Sequence, residues 1–137
     1  MPATPLALTE IPTFLRTALG DSNVFGAGLP EVPDVATGVE IYAGSQVEVR
    51  FGQAGIWRER PRYQVVSRAA ANDRATAYTR AHACAAALAA VSVPGVIVAG
   101  GVTWYTLKVL QQPYFIGKDT QDRPLYAFNI ELYRDPA

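Results

Sequence analysis

Apolar residues recur at helical spacing in two stretches of the chain and alternate with polar ones in several others. Ile11, Phe14, Leu15 and Ala18 share one face of a helix expected from about Thr9 to Leu19. Thr9 is its possible N-cap, Glu10 suits the first turn, and Gly20 follows the last apolar position. A brief strand is expected within Asn23-Val24-Phe25-Gly26-Ala27-Gly28, before Pro30 and Pro33 interrupt any ladder. Gly38 to Tyr42 and Gln46 to Phe51 alternate polar and apolar, the period of a half-buried strand, with Ala43-Gly44-Ser45 able to turn between them. Gly52 to Pro61 carries glycines, Trp57 and Arg58-Glu59-Arg60 without clean periodicity, and reads as an exposed loop. Tyr63 to Arg68 returns to strand chemistry, and adjacent Val65 and Val66 predict contact on both faces of a sheet.

The second helix starts near Asn72, an N-cap candidate, and Asp73, which suits the positive end of the dipole. Its alanine-rich run continues to about Val91 before Pro94-Gly95. Ala77, Ala81, Cys84, Leu88 and Val91 fall on one face of small side chains, which lets the helix approach a sheet closely. Two long strands follow, Val102 to Leu110 and Leu125 to Tyr133. In the last, Phe128, Ile130 and Leu132 point one way and Asn129, Glu131 and Tyr133 the other. Pro113 to Pro124 reads as a long hairpin connection with Gly117, Asp119 and Asp122 as turn formers. The order predicts an α+β fold, a mostly antiparallel or mixed sheet with one long and one short helix packed on it.

Composition narrows the field. The 137 residues, half of them apolar, suffice for one domain spanning 1–137 with its own core. Twelve Lys+Arg balance twelve Asp+Glu, which weighs against a protein built to neutralise many phosphates. The single cysteine, Cys84, has no partner for an intramolecular disulfide. No basic segment leads into an apolar stretch after Met1, so a protein made in the cytosol is expected, and no apolar run is long enough to span a membrane.

Candidate chemistry is sparse. His82 and Cys84 stand two apart on a helix and point in different directions, which a nucleophile and its base cannot do. One histidine and scattered acidic residues support no metal site, so no catalytic, cofactor or metal residues are expected. Gly26-Ala27-Gly28, Gly52-Gln53-Ala54-Gly55 and Gly100-Gly101 lack the remainder of a phosphate-binding motif and are better read as turns. Trp57-Arg58-Glu59-Arg60-Pro61-Arg62-Tyr63 pairs arginines with aromatics, as single-strand nucleic-acid sites do. The same residue types anchor protein interfaces, and balanced charge favours that reading, beside which a plain solvated loop stands equally. Tyr114-Phe115-Ile116 places apolar bulk among turn residues, to be covered either by the chain's own core or by another subunit.

The C-terminal third resembles a known family. Gly101-Val102 through Leu107, Leu110-Gln111-Gln112-Pro113-Tyr114-Phe115-Ile116-Gly117-Lys118-Asp119, Asp122-Arg123-Pro124 and Phe128-Asn129-Ile130-Glu131-Leu132-Tyr133-Arg134 resemble the ending of the tail terminator proteins of long-tailed bacteriophages, often labelled minor capsid proteins. That ending is a strand, a Leu-Gln-x-Pro…Gly-x-Asp connection, a turn and a Phe-x-Asn-x-Glu strand. The chain departs from it at Gln121-Asp122-Arg123, where Gly commonly precedes Arg. Upstream, the short helix, Asn23-Val24-Phe25 leading to Leu29-Pro30, and Arg60-Pro61-Arg62-Tyr63-Gln64-Val65-Val66 before a long helix follow the same order, whereas Ala43 to Gly55 has no counterpart.

The resemblance implies a structural protein without enzymatic activity or cofactor. It would form a homo-hexameric ring on the tail tube, stop tube growth and join the head connector, with tail tube protein and head completion protein as partners. It would reside at the head-proximal end of the virion tail, after assembly in the host cytoplasm. Trp57, Arg58, Arg60 and Arg62, with Tyr114, Phe115, Lys118 and Asp119, are the expected contact residues. Two alternatives are a small ligand-binding domain or enzyme, with a pocket between the alanine-rich helix and the sheet, and a modest nucleic-acid module using Trp57 to Tyr63.

Overall fold

The computed structural model describes the backbone of residues 4–26, 28–41, 46–49, 56–60, 62–90, 96–98 and 102–134, and the side chains of 11–26, 28–40, 62–90 and 107–132. Among the described residues two helices, α1 (Thr4–Leu19) and α2 (Arg74–Ala89), accompany nine strands. These are β1 (Val24–Gly26), β2 (Ala36–Ile41), β3 (Gln46–Val49), β4 (Ile56–Arg60), β5 (Arg62–Arg68), β6 (Val96–Val98), β7 (Val102–Val109), β8 (Tyr114–Lys118) and β9 (Pro124–Arg134). The expected α+β class is what forms.

The eleven-residue β9 is the spine of the sheet. Along one edge it pairs with β5, from Arg68↔Leu125 to Arg62↔Glu131, and then with β4 at Glu59↔Arg134. Along the other it pairs with β8, from Lys118↔Pro124 to Tyr114↔Ala127, and then with β7, from Val109↔Ile130 to Trp104↔Arg134. Outside these, β2 pairs with β5, β3 with β4 and β6 with β7, all antiparallel. β1 lies parallel to β2, so the sheet is mixed.

Both helices contribute to the core that covers one face of the sheet. Ile11 and Leu15 of α1 and Cys84, Ala85 and Leu88 of α2 join Val39, Tyr63, Val65, Phe128, Ile130 and Leu132 in one buried cluster. Alternation along β9 puts Phe128, Ile130 and Leu132 into it, as the sequence predicts. Ala77 and Ala81 pack with Ala69 and Tyr126 in a smaller cluster further along the same helix. Val65 and Val66 are both buried, so β5 is covered on both faces. On the second face Gly38 lies against residues 28 and 29: a Cβ there would come within 2.8 Å of the Gly28 carbonyl carbon.

Several boundaries differ from the sequence reading. α1 starts at Thr4 and passes through Thr9 and Pro12, because Leu6, Ala7 and Leu8 are good helix formers and extend it upstream. The N-cap of α2 is Asp73, whose carboxylate accepts the Thr76 N–H at 3.1 Å. Asn72 instead takes a left-handed turn conformation (φ 62°) and donates its N–H to the Asp122 carbonyl. The expected exposed loop from Gly52 to Pro61 contains a strand, since Ile56–Arg60 finds partners in β3 and β9. The expected hairpin connection from Pro113 to Pro124 contains β8, whose ladder to β9 shifts register between Phe115 and Gly117. The β6 segment was not anticipated, three residues being too few to show a period. The Ala43-Gly44-Ser45 turn and Val91 lie outside the described residues. None of the described helices is long and apolar enough to cross a membrane.

Candidate functional site

Buried arginines organise the polar part of the molecule. Arg68, on the sheet face away from the helices, donates to the carbonyls of Pro30 (2.7 Å), Pro33 (2.6 Å) and Asp34 (2.9 Å). Its burial, and next the charge of Arg123, lower its pKa from the usual arginine value. Arg123 donates to Asp119 Oδ2 (2.7 Å), the Glu31 carbonyl (2.8 Å) and Asp34 Oδ1 (3.0 Å). Together they strap residues 30–34 across the sheet and onto the turn between β8 and β9.

Arg80 does the equivalent work on the helical side. It donates to Thr37 Oγ1 (2.8 Å) and the Asn23 carbonyl (2.9 Å) and forms an ion pair with Asp21. Thr37 Oγ1 in turn lies 3.1 Å from Ser67 Oγ and 3.9 Å from Cys84 Sγ. Burial pushes the Cys84 thiol above its usual pKa, so this polar cluster holds α2 against β2 and β5 and does not create a reactive thiolate. His82 packs at a tilt against Tyr78, ring centroids 4.1 Å apart, and is not part of it. Among the described residues no group of three or more His, Cys, Asp or Glu is placed to hold a metal ion.

The Arg80 bond lowers the pKa of Asp21. A carboxyl whose folded pKa is depressed stabilises the fold above its unfolded pKa of about 3.9 and loses that contribution as pH falls through the folded value. The melting-temperature gap between the native chain and Asp21→Asn is therefore expected to be constant near neutrality and to shrink below about pH 4. A gap that stays unchanged to acid pH would show that the ion pair contributes nothing.

Beside this ion pair, α2 and the turn after α1 enclose an open cleft of about 420 Å³. Its lining is Leu19, Asp21, Val35, Ala75, Thr76, Thr79, Arg80 and Ala83. Apolar surface dominates, and its one ion pair is already satisfied by internal partners. That is a poor arrangement for acid–base chemistry and a good one for receiving apolar side chains.

On the other flank of α2 the surface is aromatic. Phe115 packs on Tyr126 at 5.5 Å, Tyr78 meets Tyr126 edge-on at 5.6 Å, and the Arg74 guanidinium lies 3.9 Å above the Phe115 ring while bonding Tyr126 Oη at 3.1 Å. Tyr114, Phe115 and Ile116 nevertheless remain 41%, 37% and 43% exposed. β8 carries them at the sheet margin, so the chain's own core covers them only in part.

The expected contact residues fall into two groups. Trp57, Arg58 and Arg60 stand on β4, with side chains outside the described residues. Arg62 begins β5 and donates to Glu131 at 2.9 Å. Tyr114 and Phe115 are on β8, Lys118 at its end donates to Asn72 Oδ1 (2.9 Å), and Asp119 anchors the following turn through Arg123. β4 meets β9 at Arg134 and β8 meets it from Pro124 to Ala127, on opposite edges. The seven residue steps from Ala127 to Arg134 put the groups about 24 Å apart along the strand.

Sequence reasoning missed the roles of Arg68, Arg80 and Arg123; the alternative reading did place a pocket against the alanine-rich helix, but not that the turn after α1 would form its other wall. The one available signal was that Arg80 interrupts an otherwise uncharged stretch of alanine-rich helix.

No curated protein matches the chain. A family model does, described as bacteriophage tail terminator protein, over residues 15–135 of the 137.

Proposed function

Because the chain belongs to the bacteriophage tail terminator family, we propose that it assembles into a ring on the finished end of the tail tube, stops tube growth there and offers the joining surface to the head connector. A structural role in the phage tail is what family membership establishes. The ring is supported by separate surfaces on each subunit: the β4 group and the β8 group stand on opposite edges and at opposite ends of β9, so that each can meet a different partner in the assembly. A head-to-tail contact needs two different surfaces on each subunit, and such contacts close into a ring when the rotation between neighbours divides the circle. Six copies of the 14.8 kDa chain would weigh roughly 89 kDa. The described polar clusters are satisfied internally, which suits a protein that works by contact.

Light scattering and negative-stain imaging, with and without purified tail tubes, test this reading. Rings of that mass, or tubes capped at one end, are the expected result. Trp57→Ala combined with Arg58→Ala is expected to weaken assembly at least tenfold while leaving the circular dichroism spectrum unchanged. A chain that stays monomeric and leaves tubes uncapped would sink the reading. Unchanged assembly of the double variant would remove β4 from the contact.

A further inference from the structure

We propose that neighbours in the ring are joined by the apolar run of β8, which seats in the cleft beside α2 of the next copy; this rests on the ring reading above. Three observations carry it.

The first is where the two features lie. Across the lower half of the sheet the strands run β1, β2, β5, β9, β8. The cleft opens at the β1–β2 side, with Val35 just before β2 as one wall, and the apolar run stands on β8 at the other side. Four strand spacings separate β1 from β8, about 19 Å, so the run and the cleft of one chain cannot meet. A projecting apolar segment and an apolar cleft on opposite flanks form a heterologous pair, the type of contact that propagates around a ring.

The second is charge. Lys118 and Arg74, both exposed, flank the β8 run. Of the two charged residues that line the cleft, the carboxylate is the more exposed: the Asp21 side chain is 30% exposed and that of its partner Arg80 is 11% exposed. A neighbour arriving with β8 therefore meets acid with base. Two β8 edges meeting each other would oppose like charges, which disfavours a two-fold dimer through this strand.

The third is the form of the edge. The register shift between Phe115 and Gly117 leaves Ile116 unpaired and bends the strand. A bulge followed by a lysine protects an edge from adding another strand. The contact is made by side chains entering a cleft, and 420 Å³ is room for bulky ones.

The test uses Thr79→Cys, in the cleft, and Ile116→Cys, on β8, in one chain, with a short bis-maleimide added to assemblies formed on tail tubes. Both positions are exposed, and buried Cys84 is shielded from the reagent. The expected product is a ladder of cross-linked species beyond the dimer, absent from each single variant. Filling the cleft with Ala83→Trp is expected to raise the concentration needed for assembly at least tenfold, with the circular dichroism spectrum unchanged. Rings that form without the ladder, or that tolerate Ala83→Trp, would overturn this contact and leave the ring itself standing. Absence of both rings and ladder would overturn the ring reading and this contact with it.

Discussion

Replacing Arg68 with alanine is expected to lower the unfolding free energy by about 3 kcal/mol, roughly 10 °C in melting temperature. Arg68 is 3% exposed and its guanidinium satisfies three carbonyls, those of Pro30, Pro33 and Asp34. Hydrogen bonds from a charged donor contribute about 1.5–3 kcal/mol each, and part of that returns when the freed carbonyls of residues 30–34 reach water. Lysine at this position carries the charge as a point and cannot span three acceptors, so Arg68→Lys is expected to recover less than half of the loss. Val35 directly follows the strap and walls the cleft, so assembly should weaken together with stability. Chemical denaturation followed by circular dichroism measures the first effect and light scattering the second. A loss under about 1 kcal/mol would show that residues 30–34 hold their place without the arginine.

Phe128→Ala is the substitution expected to cost most, about 3–5 kcal/mol. Phe128 is fully buried at the middle of β9, opposite Val65 and within the cluster that α1, α2 and the sheet share. Its cluster partners Val65, Ile130 and Leu132 are themselves fully buried on paired strands, so the cavity adds to the lost transfer energy. Against a total stability of about 5–15 kcal/mol, that is enough to populate unfolded chain at 37 °C. Ile130→Val, two residues along on the same face, removes a single methyl and is expected to cost only about 1 kcal/mol. Urea titration of the two variants, with similar slopes and separated midpoints, is the check. Similar midpoints would mean that the β9 core relaxes around the missing ring.

What was legible in the sequence follows from range. α2 could be read because its signals are local: Asp73, the alanine run and the small face at Ala77, Ala81, Cys84 and Leu88. β9 could be read because Phe128, Ile130 and Leu132 alternate towards the helix-covered face, and β5 because its β-branched pair Val65–Val66 marks a strand covered on both faces. β4 and β8 escaped because their hydrogen bonds go to partners far along the chain. Ile56–Arg60 looks like a loop until β3 and Arg134 are beside it, and Pro113, Gly117 and Asp119 made a strand look like a turn. The arginines escaped for the same reason: Arg68 reaches carbonyls 34 to 38 positions away and Arg80 reaches Asp21 59 away. Nothing local distinguishes a buried arginine from an exposed one.

By itself the sequence determined the α+β class, the helix and strand faces that make the core, and a family resemblance that extends over most of the chain. Periodicity, capping chemistry and motif order are properties of neighbouring residues, and folding does not alter them. Tertiary structure alone decided which arginines are buried, that β8 is a bulged margin whose apolar side chains stay partly exposed, and that a cleft opens on the opposite flank of the sheet. Those are relations between segments far apart in the chain, and they exist only once β9 has gathered its partners along both edges.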